Sequence, residues 1–208
     1  MNKYAMLSCF RQGETDMIRS CLGAEKKSFR KNDIIMKFSD WNNNLGIVEK
    51  GMTFLVSLND KGEPNILDYY EEGDIFGRIL SPNTNVNLYY IYAKRNCEIS
   101  LFAYDNLHLL EQTNRGLYQQ FFENMFHSTV SRNQMHIDIL AQRTIRDKLM
   151  TYLKYISEMT GKTEFSIPIS LSDLADYLSV DRSSMMREIK KMNNELIINS
   201  KGTKIIIL

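Results

Sequence analysis

Residues 169–193 read ISLSDLADYLSVDRSSMMREIKKMN, and this stretch organises the rest of the chain. Ser170 followed by Asp173 has the S-x-x-D capping form, which opens a helix at Leu171. Leu171, Leu174, Ala175 and Leu178 share one helical face, and Val180 follows a break at Ser179. Asp181 suits the N-cap of a second helix, because its carboxylate can accept from free backbone N–H groups. Met185, Ile189 and Met192 form the inward stripe of that helix, and Arg182, Ser183, Met186, Arg187 and Lys190 lie on its other side. Two short helices joined by a tight turn make a helix-turn-helix, although a serine stands where the turn usually has glycine. Leu196–Asn199 and Lys204–Leu208 are β-prone runs around Ser200-Lys201-Gly202-Thr203, which makes a hairpin wing behind the helices.

The chemistry of this segment suits double-stranded DNA. Arginine can give two hydrogen bonds to guanine O6 and N7, and serine can bond bases or phosphates. Candidate contacts are Arg182, Ser183, Ser184, Met186, Arg187, Lys190, Lys201 and Lys204. The whole chain has a net charge of only +1, but the charge is divided unevenly. Residues 1–140 carry net −2 and residues 141–208 net +3, so near-neutrality is an average over two unlike parts. A different reading keeps the N-terminal part as a ligand-binding module and gives the C-terminal helical hairpin to protein contacts.

Upstream, the pattern changes twice. Residues 3–22 hold short apolar groupings that suggest two small helices. From Lys27 to Ala103 come β-rich runs: Asp33–Lys37, Leu45–Val48, Met52–Leu58, Asn65–Tyr70, Leu88–Ala93 and Cys97–Phe102. Their spacing, of roughly ten residues, is that of a sandwich or barrel. Asn59-Asp60-Lys61-Gly62 reads as a hairpin loop. A short helix is expected over 105–112, and a long one from about Arg115 to Gln142, where no proline intervenes. Leu117, Tyr118, Phe121, Phe122, Met125, Phe126 and Val130 make its apolar stripe, wider than one small sheet needs. Either the helix is buried on two sides of its own domain, or it also packs against a copy of itself. A further helix over about 144–160 ends at Gly161, and 161–168 reads as a connection.

The order of these parts resembles the Crp–Fnr family of transcription regulators over nearly the whole chain. The resemblance rests on LSDLADYLSVDRSSMMREIKKMNNELI (171–197) with GTKIIIL (202–208), on LAQRTIRDKLMTYL (140–153), and on YYEEGDIFG (69–77). It implies an α+β chain: an N-terminal cyclic-nucleotide-binding-like jelly roll over 1–112, a dimerisation helix over 113–143 and a winged helix-turn-helix over 144–208. It implies a cytoplasmic homodimer on a two-fold symmetric DNA site, with Leu117, Phe121, Phe122, Met125 and Phe126 at the dimer interface. Arg182, Ser183 and Arg187 fall at the family's base-reading places. The family often has glutamate where Ser183 stands, so the base preference is not inherited. The family also admits contact with RNA polymerase and a small-molecule effector, here of unknown identity.

Cyclic-nucleotide-binding members continue the corner as Gly-Glu, a loop, then Arg-Ser. Here Arg78 follows Gly77, Asn87-Leu88 stands in place of Arg-Ser, and no basic residue lies between Arg78 and Lys94. A buried phosphate without a cation is poorly compensated, which disfavours cyclic AMP. Gly77, Arg78, Asn133 and Gln134 are the effector-pocket candidates. An iron–sulfur cluster needs four thiolates, and the chain has three cysteines, Cys9, Cys21 and Cys97. Haem is disfavoured because His108, His127 and His136 all follow the roll. A thiol switch through Cys9 and Cys21 competes with the plainer reading of two ordinary thiols. No metal site is expected. No stretch is long and apolar enough to span a membrane, and no signal peptide is expected at the start. Nucleotide-binding and hydrolase motifs are missing, so an enzyme is not expected.

Overall fold

The computed structural model describes residues 6–7, 9–37, 44–59, 62, 64–77 and 89–208. The chain divides into two compact units, one running to Thr129 and the other from Val130 to Leu208. The division falls inside the long helix.

The first unit is built on eight strands: β1 (Glu25–Phe29), β2 (Ile34–Lys37), β3 (Asn44–Lys50), β4 (Met52–Leu58), β5 (Pro64–Glu71), β6 (Ile75–Gly77), β7 (Tyr89–Ala93) and β8 (Cys97–Ala103). They form two four-stranded antiparallel sheets, ordered β1-β8-β3-β6 and β2-β7-β4-β5. Alternation along each strand sorts the side chains. Val48, Leu55, Phe76, Ile91, Ala93, Cys97 and Ile99 meet between the sheets. Leu45, Ile47, Ile75 and Phe102 face the opposite way. There they are covered by α1 (Gln12–Cys21), α2 (Leu107–Thr113) and the start of α3 (Arg115–Ala141). The expected strands are present with small shifts, and Met52–Leu58 keeps its bounds. Residues 3–22 differ from expectation: the described part contains one helix, α1, where two were read, and before it Phe10 N–H donates to Leu7 O. Gly62 takes φ 77 and its N–H donates to Asn59 O, as a hairpin loop requires. Asp60 and Lys61 lie outside the described residues.

An ion pair fastens α1 to the first sheet. Arg19 Nε and Nη2 reach the two Glu49 carboxylate oxygens at 2.8 and 2.7 Å, and Ser100 Oγ donates to Glu49 at 2.6 Å. Burial pushes the Glu49 carboxyl up, but the bonds from Arg19 and Ser100 outweigh it and leave the group below its ordinary value. Its contribution is therefore full above the unfolded glutamate pKa of about 4.3 and is lost as pH falls through the lower folded value. Arg19→Met should cost ~1–3 kcal/mol at neutral pH, because it strands a mostly buried carboxylate while part of the arginine stays in water. Urea melts should show the gap to wild type closing as pH drops below about 4. A gap that persists unchanged in acid would contradict the assignment.

The second unit holds the end of α3, then α4 (Ile145–Thr160), α5 (Leu171–Tyr177) and α6 (Arg182–Asn194). A three-stranded sheet, ordered β10-β11-β9, completes it: β9 (Glu164–Ser166), β10 (Ile198–Lys201) and β11 (Lys204–Ile207). Thr144 caps α4 by accepting from Asp147 N–H, and Gly161 closes it in the left-handed region at φ 66. Tyr152, Leu153, Leu174, Leu178, Met185, Met192, Ile198 and Ile205 are buried as the unit's core. The segment 161–168, read as a plain connection, contributes the third wing strand. β9 is too short to show periodicity.

Candidate nucleic-acid interface

The geometry of the reading helix begins at its caps. Ser170 accepts from Asp173 N–H at the start of α5, and Asp181 accepts from Ser184 N–H at 2.8 Å at the start of α6. The turn between them places Ser179 at φ 53. The left-handed position that the motif usually fills with glycine is thus kept, with a serine in it, at a modest conformational cost. Lys148 Nζ donates to Leu178 O at 3.0 Å and satisfies a carbonyl left open at the end of α5.

Met185, Ile189 and Met192 pin α6 to the core, which turns Arg182, Ser183, Met186, Arg187 and Lys190 out to solvent. Ser184 is half-buried beside them. Two details change what the outward residues can do. Ser183 Oγ donates to Asp181 at 2.7 Å, so its proton is engaged and its lone pairs remain. That bond, with those from Ser184, holds the Asp181 carboxyl down at about 2, so the cap stays charged at any physiological pH. Arg187 Nη2 donates to Ser184 Oγ at 2.9 Å, which steadies the guanidinium and leaves the rest of its fork exposed. Lys190 and Lys201 make no ion pair among the described residues. Lys204 is paired with Glu164 at 2.5 Å, which lowers its value as a phosphate contact. The wing is tied to α6 through Asn193, whose amide donates to Ser200 Oγ and accepts from Ser200 N–H, both at 2.8 Å.

The remaining candidates separate. Leu117, Phe121 and Met125 are buried in the core of their own unit, with Phe10, Ile18 and Leu110. Expected at a dimer interface, these three are already covered by the roll and its helices. Phe122 and Phe126 are exposed, as are Val130, Ile137 and Leu140 further along α3. Asn133 and Gln134 are exposed on α3, and Gln134 donates to Asp138. Gly77 is buried at φ 130, and a Cβ there would lie 2.4 Å from Asn44 O. The β6–β3 contact alone thus requires glycine at this corner. Arg78, Asn87 and Leu88 lie outside the described residues. Between the sheets the Phe76 ring packs on Gly46 and lies 5.6 Å from Tyr70, and no lysine or arginine is buried among the described residues. Cys97 is buried and bonded to Met52 O, and Cys9 is exposed with its thiol pushed up by burial of the group's surroundings.

A two-sheet roll, a long helix with an uncovered apolar side and a winged helix-turn-helix make up the two units. Comparison with known proteins agrees. Residues 26–114 match the model of the cyclic nucleotide-binding domain family. The chain is 23% identical over 164 residues to the cAMP-activated global transcriptional regulator CRP of Pasteurella multocida strain Pm70, covering 76% of this chain and 78% of that one. It is 22% identical over 190 residues to electron transport regulator A of Shewanella oneidensis, covering 88% and 74%. Its fold is shared by FixK2 from Bradyrhizobium japonicum (TM-score 0.68, 18% identity, 88% and 92% covered). It is also shared by a cyclic nucleotide-binding domain containing protein from Listeria monocytogenes EGD-e (TM-score 0.74, 14% identity, 93% and 97% covered). The chain is similar to these proteins, and the two relatives matched by sequence are both named as regulators.

Proposed function

We propose that the chain is a cytoplasmic, sequence-specific DNA-binding transcription regulator that acts as a homodimer and does not use cyclic AMP. The observation that carries this reading is the outward row on α6, in which Arg182, Arg187 and Lys190 stand clear of the core on a helix capped and anchored from behind. The sensor covers residues 1–112, the dimer helix 113–143 and the DNA-binding module 144–208. The dimer forms along the exposed side of α3, where Phe122, Phe126, Val130, Ile137 and Leu140 recur at intervals of three or four residues across Asn133. RNA polymerase is the protein partner that this family role implies.

Binding to random duplex DNA, measured from 50 to 200 mM salt, tests the reading. A dimer presenting Arg182, Lys190 and Lys201 twice should lose roughly 10³-fold in affinity over that range. Affinity that ignores salt, or no binding at all, would remove the proposal. Cyclic AMP should leave both the melting temperature and duplex affinity where they are.

A further inference from the structure

We propose that Arg146 is a positioning residue for the groove-facing helix, fixing its rotation and its axial place. This inference rests on the DNA-binding reading above. Arg146 is the second residue of α4, whose start is set by the Thr144 cap and by the Thr144–Asp147 side-chain bond of 2.6 Å. Its guanidinium spreads over one flank of α6. Nε donates to Glu188 Oε1 at 2.6 Å, and Nη1 and Nη2 donate to the two oxygens of Glu195 at 2.6 and 3.1 Å.

Glu188 and Glu195 are seven residues apart, about two helical turns or ~10 Å along the axis. A rigid, planar fork that holds both points constrains the helix in translation and in rotation together, which a single contact does not. Rotation is what base reading depends on. A roll of about 20° moves a point on a helix surface of ~5–6 Å radius by roughly 2 Å. That exceeds the ~0.5 Å window in which a hydrogen bond keeps its geometry. Arg187 adjoins Glu188 in the chain, so the clamp acts one residue away from the best base-contact candidate.

The charges point the same way. Glu188 has a side chain only 17% exposed, so its carboxylate needs a close donor. Lys191 is 3.8 Å from it, too long to serve as its hydrogen-bond donor, so the Arg146 bond is its close one. Isolated surface ion pairs contribute little, but one arginine bonded to two carboxylates is a fixed network of the kind that does matter.

The test compares wild type with Arg146→Ala, Arg146→Lys, Glu195→Gln and the swap Arg146→Glu with Glu195→Arg. Each is measured for cooperative melting, for random-duplex affinity across salt, and for the affinity ratio between random DNA and a duplex that wild type selects from a random pool. Arg146→Ala should keep random-duplex affinity and its salt slope close to wild type while the ratio falls about 10- to 100-fold. Arg146→Lys should fall nearly as far, because an ammonium cannot make the fork. Glu195→Gln should fall less, and the swap should recover part of the ratio. A folded Arg146→Ala with the wild-type ratio overturns the proposal. So does an equal drop on selected and random DNA, which would mark Arg146 as a plain phosphate contact. If Arg146→Ala does not melt cooperatively, Arg146→Lys and Glu195→Gln decide by the same ratio. If wild type itself selects no sequence, the DNA reading fails first and this inference with it.

Discussion

Arg187→Ala should melt like wild type and lose most of its preference for the selected duplex. The side chain is exposed, and its one bond among the described residues is to Ser184 Oγ, so the fold loses almost nothing. A bidentate arginine–guanine contact is worth ~1–3 kcal/mol, and a two-fold symmetric dimer makes it twice. The expected loss is then at least about 30-fold in specific affinity, with random-duplex affinity and salt slope nearly kept. Lysine substitutions give the contrast. Lys190→Ala and Lys201→Ala remove cations that make no ion pair among the described residues, so all sequences should weaken alike and the salt slope should fall by about one per contact. Binding-site selection with each variant separates these outcomes. An Arg187→Ala protein that still picks the wild-type sequence would show that base reading lies elsewhere.

How much of this was readable from sequence depends on whether the cause of each feature is local. Caps are local: Ser170 and Asp181 announce α5 and α6, and both act as N-caps in the structure. Strands with an inward face were also readable, as Met52–Leu58 shows. β1 was missed because Glu25–Phe29 is an edge strand with four of its five residues exposed, which leaves no apolar alternation to read. β6 and β9 are three residues each. Of the site, the outward row on α6 followed from the phase of Met185, Ile189 and Met192. The support behind it did not. Arg146 meets partners 42 and 49 residues away, and Asn193 engages a wing strand, contacts that only the folded unit creates. The corner glycine was legible and ambiguous at once. Gly77 is required by the approach of Asn44 O, so its presence alone says nothing of a ligand.

The α3 stripe shows the same limit and yields the second large effect. Periodicity located Phe121, Phe122 and Phe126 on one broad band but could not say which neighbour each would meet. Phe121 is 0% exposed, with its ring 6.5 Å from that of Phe10, whereas Phe126 is 58% exposed. Substitutions at the two positions should therefore fail in opposite ways. Phe121→Ala should cost ~3–5 kcal/mol as an uncollapsed core cavity, a large share of a total stability of about 5–15 kcal/mol. It should lower the melting temperature at every protein concentration. Phe126→Glu removes no contact of the unit's own core, so a monomer carrying it should remain folded. In a dimer seam continued by Val130, Ile137 and Leu140, however, it would bury a carboxylate with no counter-charge. Sedimentation should then find Phe126→Glu monomeric at concentrations where wild type is a dimer, with a melting temperature that no longer rises with concentration. Its affinity for a two-fold DNA site should fall toward that of one half-site, because the second reading helix is no longer delivered with the first. A Phe126→Glu dimer as tight as wild type would place the subunit contact off this side of α3, and a Phe121→Ala protein of undiminished stability would undo the division of the stripe.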